Sequence, residues 1–70
     1  MSNYLSIECD FKYYDERKEY LLISDGDKDC FIPNDLINNL ELSRIKKGDM
    51  IIIDVEEWFI IEKELDNIVL

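Results

Sequence analysis

Residues 4–14 read Tyr4-Leu5-Ser6-Ile7-Glu8-Cys9-Asp10-Phe11-Lys12-Tyr13-Tyr14, and Leu5, Ile7, Cys9, Phe11 and Tyr13 alternate there with Ser6, Glu8, Asp10 and Lys12. Successive side chains of a strand point to opposite faces, so a period of two sets the first group against a core and the second in water. The stretch predicts a half-buried strand. Antiparallel sheets are the ones that leave one face wet, so the flanking segments are read first as antiparallel partners.

Downstream, Asp15 to Lys18 is a polar turn and Glu19 to Ser24 a second strand, with Tyr20-Leu21-Leu22-Ile23 apolar on both faces. Asp25-Gly26 supplies a turn in which Gly takes positive φ. Asp29 to Ile32 makes a third strand and completes a meander; Pro33, which has no N–H to give to a ladder, ends it. Asn34 or Asp35 can cap a short helix over Leu36, Ile37 and Leu40. After a connector, Lys47-Gly48-Asp49 forms another turn. Met50 to Val55, apolar except for Asp54, has the pattern of a central strand buried on both faces.

Residues 56–65 carry two signals. Trp58, Phe59, Ile60 and Ile61 favour a strand by propensity. Trp58, Ile61 and Leu65 repeat at i, i+3 and i+7, while Glu56 and Glu57 suit a helix start and Lys63 a helix end. This predicts a helical segment with Trp58 in the core. Ile68-Val69-Leu70 reads as a closing strand. The expected fold is mainly β: a small antiparallel barrel or curved sheet of about five strands, SH3-like or OB-like, with one or two short helices. It forms a single domain over residues 1–70.

Three phrases of the chain, in order, resemble a small accessory domain of phage and mobile-element proteins. They are Tyr20-Leu21-Leu22-Ile23 with Asp25-Gly26, then Phe31-Ile32-Pro33-Asn34-Asp35, then Val55-Glu56-Glu57-Trp58-Phe59 running to Lys63 and Leu65. The resemblance spans roughly residues 17–66. Asp35 stands where the pattern has Ser, Glu56 where it has Pro, and Glu64 where it often has Lys. It implies a compact β domain whose Trp phrase opens a short helix, and it implies no established activity.

Composition narrows the function. Seventy residues make one domain at most. A hydrophobic share of 47% excludes a disordered acidic tail. Apolar runs of four residues are too short to span a membrane. The start at Met1 has neither a basic nor an apolar leader region, so no signal peptide is expected. Cys9 and Cys30 lie in apolar stretches without a C-x-x-C spacing, and the chain has no His, which excludes a zinc site. They read as two reduced, buried thiols in a cytoplasmic protein, with a disulfide stapling a small secreted domain as the minor alternative.

Catalysis lacks its parts. Ser6, Ser24, Ser43 and the two cysteines have no His to activate them. Pairs such as Asp15/Glu16 or Glu56/Glu57 are neighbours in sequence and do not face each other. The expectation is a non-enzymatic protein without a cofactor. Asp25, Asp27 and Asp29 alternate like the opening of a calcium loop, but Cys30, Pro33 and Leu36 occupy that loop's sixth, ninth and twelfth positions. No metal site is assigned, and a small-ligand or ion sensor is a third functional reading.

The charge carries the most information. Eight basic and 17 acidic residues give a net charge of −9. Residues 1–40 carry net −5 and 49–70 net −6, whereas 41–48 carry net +2 through Arg44, Lys46 and Lys47. Duplex DNA would be repelled, because phosphate neutralisation supplies most non-specific affinity. A broad negative field instead steers association with basic surfaces. The first reading is an acidic phage or mobile-element inhibitor that mimics nucleic acid and binds a nucleic-acid-processing host protein. Glu8, Asp10, Asp25, Asp27, Glu56 and Glu57 are its candidate contact residues. The alternative is a site for single-stranded nucleic acid or a protein partner at Arg44, Lys46 and Lys47, with Tyr13, Tyr14 and Tyr20 as stacking platforms. Acidity serving solubility alone is the plain alternative to both.

Overall fold

The computed structural model describes residues 3–70. Five strands lie antiparallel in one sheet: β1 (Tyr4–Asp15), β2 (Tyr20–Ser24), β3 (Asp29–Pro33), β4 (Ile37–Asn38) and β5 (Met50–Glu56). Their order is β3-β2-β1-β5-β4. A six-residue helix, α1 (Glu57–Glu62), and single 3-10 turns at Asn34–Leu36 and Asp66–Ile68 complete the fold. The fold is mainly β with five strands, as the alternation predicts. The sheet is open, with β3 and β4 at its edges, so the curved-sheet alternative applies and the barrel closure does not.

The long first strand holds the sheet together. Its N-terminal half pairs with β5, through Leu5–Val55, Ile7–Ile53 and Cys9–Ile51. Its C-terminal half pairs with β2, through Phe11–Ile23 and Tyr14–Leu21, and β2 passes the inner face on to Ile32 and Cys30 of β3. Phe59 and Ile60 of α1, with Leu65, are buried in the same core. Leu36, Ile37, Leu40, Leu42, Ile45, Ile68 and Val69 pack around them. Residues 68–70 do not form a full strand. Val69 makes an isolated bridge with Ile7, and the Leu70 N–H donates to the Ser6 carbonyl at 2.9 Å.

A bulge corrects the reading of the first strand. The register shifts between Phe11 and Tyr13, leaving Lys12 as an extra residue on β1. One extra residue inverts the alternation beyond it. Tyr14 therefore packs on the core and Tyr13 points outward, the reverse of the uninterrupted pattern. Glu19 takes φ 55° and closes the preceding turn, so β2 starts one residue later than expected.

Two further expectations are corrected. The capped helix over residues 34–40 is one 3-10 turn without a side-chain cap, because Ile37 is already extended and enters β4. The central strand is β1, not β5, and β5 alternates: Ile51, Ile53 and Val55 are buried, while Met50 and Ile52 are 58% and 54% exposed.

Trp58 is also placed outside the core, at 53% exposure, with Ile61 exposed beside it. The cause lies in how the helix ends. Glu64 adopts a left-handed φ of 56°, the Leu65 N–H donates to the Ile60 carbonyl at 2.9 Å, and the Glu64 N–H donates to the Ile61 carbonyl at 3.2 Å. This is the Schellman pattern, whose usual companion is an apolar contact between the residue after the left-handed one and the third-last helical residue. Here those residues are Leu65 and Ile60, both fully buried. The reversal of the chain, not helical spacing, brings Leu65 inward, and the buried helix face is Phe59 and Ile60.

Phe59→Ala should therefore cost about 3–5 kcal/mol, as large buried aromatics do, and leave a domain this small largely unfolded. Trp58→Ala should cost about 1 kcal/mol or less, because half its surface stays wet and it contributes only an edge-to-face contact on Phe59. Urea melts of the two variants test this; equal losses would return Trp58 to the core.

Candidate binding face

The inner face of the sheet is covered, and its outer face presents the side chains that pairing brings into rows. Glu8 lies opposite Ile52, and Asp10 lies between Met50 and Ser24, with Asp29 next beyond Ser24. Towards the start of β1, Ser6 lies opposite Asp54 and its hydroxyl donates to the Asp54 carboxylate; Tyr4 lies opposite Glu56. Glu8, Asp10, Asp54 and Glu56 thus form an acidic sector over β1 and β5, interleaved with the exposed side chains of Met50 and Ile52. Alternate residues along each strand stand ~6.7 Å apart.

Beyond the bulge the chemistry of the face changes. Tyr13, Leu22 and Phe31 lie side by side across β1, β2 and β3, and Asp15, Tyr20 and Pro33 make the next row. The Tyr20 and Phe31 rings meet edge to face at 4.6 Å between centroids, and Tyr13 and Tyr20 at 6.3 Å. The hydroxyls of Tyr13 and Tyr20 share a 3.2 Å hydrogen bond, which pushes the Tyr13 phenol above its ordinary value.

The candidate acids separate in space. Glu8, Asp10 and Asp25 line one shallow cleft of about 190 Å³ with Ser24, Met50 and Ile68. Glu56 lies further along the same face. Glu57 leaves the sheet: it opens α1, and its N–H donates to the Asn3 carbonyl at 2.8 Å. Asp27 sits at the exposed tip between β2 and β3. Asp54 was not among the candidates, although the parity of Met50, Ile52 and Asp54 puts all three on one side of a strand.

Several carboxylates have a structural task. One oxygen of Asp25 accepts from the Asp27 and Lys28 N–H groups, both at 2.8 Å, which holds its carboxyl below the ordinary value. Asp15 accepts likewise from Arg17 and Lys18 at 3.0 Å, and Asp49 from Lys46 at 2.9 Å. These are turn-closing bonds. Among the described residues no group of three or more His, Cys, Asp or Glu gathers as metal ligands.

Arg44, Lys46 and Lys47 are exposed in the connector between β4 and β5. Tyr14 faces the core, so the three tyrosines proposed as stacking partners do not share a surface. Cys9 and Cys30 are both free and buried. Burial, with the neighbouring Asp10 carboxylate, pushes the Cys9 thiol up to about 12, and burial also raises Cys30. A protonated, shielded thiol is a poor nucleophile. Among the described residues no helix is long and apolar enough to cross a membrane. No protein family, curated protein or solved structure matches the chain.

The Cys9 thiol also sets a limit at high pH. Its folded value lies above the model value of 9.0, so the unfolded chain loses that proton first. The associated stability is complete below pH 9 and is lost as pH rises towards 12. Urea midpoints measured from pH 8 to 11 should fall less steeply for Cys9→Ala than for the parent; parallel slopes would remove Cys9 as the cause.

Proposed function

We propose that the chain is a non-enzymatic acidic binding protein of a phage or mobile element. It acts in the cytoplasm by occupying the basic nucleic-acid groove of a host enzyme, such as a defence nuclease, in place of nucleic acid. The observation that carries this reading is the acidic sector of the outer face. Glu8, Asp10, Asp54 and Glu56 stand on two adjacent strands and point to one side. The salt bridge found among the described residues, Lys28 to Glu64, lies elsewhere. Carboxylates set on a sheet are held in register and lose little freedom when a basic surface meets them.

The cleft between Asp10, Asp25 and Ile68 is too small and shallow for an enclosed reaction site. It suits the reception of one basic side chain at the border of a larger contact. Placing Arg44, Lys46 and Lys47 in one exposed connector favours the alternative reading of a single-strand site, and the same experiment separates the two.

The test is displacement of a fluorescent DNA duplex from a panel of purified defence nucleases. For a nuclease that the parent inhibits, Glu8→Lys with Asp10→Lys should slow association and flatten its salt dependence, since charges at a contact rim act mainly on the on-rate and are screened within ~8 Å at physiological salt. Arg44→Glu with Lys46→Glu and Lys47→Glu should change little. If no nuclease is displaced, or if the basic variant alone loses binding, the mimic reading fails.

A further inference from the structure

We infer that the aromatic sector of the outer face reads arginine: Tyr13, Tyr20 and Phe31, bordered by Asp15 and Asp29, receive a guanidinium from the basic surface that the acidic sector attracts. The inference rests on the partner being a basic protein, as proposed above, and adds which basic side chain it must offer.

The first ground is exposure without coverage. Phe31 is 52% exposed and Tyr13 43%, although Cys30 and Ile32 on either side of Phe31 are buried. The rings pack on one another across the strands and still leave much of their faces to water. The second ground is geometry. The successive rings are inclined by 62° and 63° rather than stacked flat, and the Tyr13–Tyr20 hydroxyl bond ties two of them together. They form a corner whose walls are fixed before any partner arrives. A cation over an aromatic face is attracted by the ring quadrupole, and a planar guanidinium stacks there better than an ammonium. The cation–π contact found among the described residues is Lys63 over Phe59, in the other part of the molecule.

The third ground is charge. Asp15 lies directly opposite Tyr20, and Asp29 precedes Phe31 by two residues on the same face. Asp15 spends one oxygen on its turn, and the other is left to accept from a guanidinium. Asp10 adds a third carboxylate on the same face. The same charge argues against a second copy as the occupant, since a two-fold pairing sets identical patches against each other and each chain carries −9. It argues equally against a phosphate backbone.

The experiment compares nona-arginine with nona-lysine, and both with a twelve-residue oligothymidine, by fluorescence anisotropy on the full chain. The parent should bind nona-arginine about fivefold more tightly than nona-lysine, the size of one exposed cation–π contact. Tyr20→Leu with Phe31→Leu should abolish that preference and leave the nona-lysine affinity unchanged. Phe31→Tyr should retain the preference, which guards against a loss of folding in the leucine variant. Glu8→Lys with Asp10→Lys should weaken both peptides alike. Equal affinities in the parent, a preference that survives the leucine variant, binding of the oligothymidine at the corner, or self-association through it in sedimentation would each overturn the inference. If arginine is preferred as described but no nuclease is displaced, the mimic reading falls and the corner stands. If nucleases are displaced and the two peptides bind equally, the corner alone falls.

Discussion

A single extra residue in β1 governs the organisation of this molecule. A strand of 12 residues serves β5 along one edge and β2 along the other, and a bulge lets its two halves turn side chains of opposite parity inward. Lys12 absorbs the difference. Before it, odd-numbered residues face the core and β1 pairs with β5, with β2 joining at Asp10 and Phe11; after it, even-numbered residues face the core and β1 pairs with β2. The bulge therefore sets the border between the two chemical sectors of the outer face. On one side of it lie Glu8, Asp10, Asp54 and Glu56, and on the other the rings of Tyr13, Tyr20 and Phe31 with Asp15 and Asp29 at their border.

The same residue explains what could and could not be read from the sequence. Alternation from Leu5 to Phe11, the Asp25-Gly26 turn, the stop at Pro33 and the turn at Gly48 all act within a few residues, and each appears where local chemistry puts it; Gly26 and Gly48 both adopt positive φ. A bulge is a relation between two strands. Its sequence mark, the adjacent Tyr13 and Tyr14, is compatible with either one facing inward. The end of α1 was hidden for a related reason. Left-handed backbone usually announces itself through Gly or Asn, and here Glu64 adopts it, so the three-four spacing appears to run on to Leu65. Met50 and Ile52 mislead in another way. An unbroken apolar run suggests burial on both faces, but no second layer covers the outer one.

Charge in this chain has two uses that composition cannot separate. Asp15, Asp25 and Asp49 spend oxygens on backbone N–H groups, and each fixes a turn. Glu8, Asp10, Asp54 and Glu56 stand on strands, where no turn requires them. The distinction lay within reach of the sequence for the turn residues, because each lies close to Gly, Lys or Arg in a polar run; those residues follow Asp15 and Asp25 and precede Asp49. It lay out of reach for the strand residues, whose convergence depends on the pairing of β1 with β5. Of the six candidate acids, the three that line one cleft come from two separate segments that meet only in the folded sheet.

The bridge between Ile7 and Val69 has a consequence for the behaviour of the protein in concentrated solution. β2 ends its pairing at Asp10, so the first half of β1 would otherwise offer bare amide and carbonyl groups along that edge, a template on which another chain could add a strand. Val69 and Leu70 occupy that template with one bridge and one hydrogen bond. The two edge strands are themselves poor templates, since β4 has two residues and β3 ends in proline. The cover of this edge rests on the backbone of residues 69 and 70 and not on mutual repulsion, so salt that screens the repulsion leaves it in place.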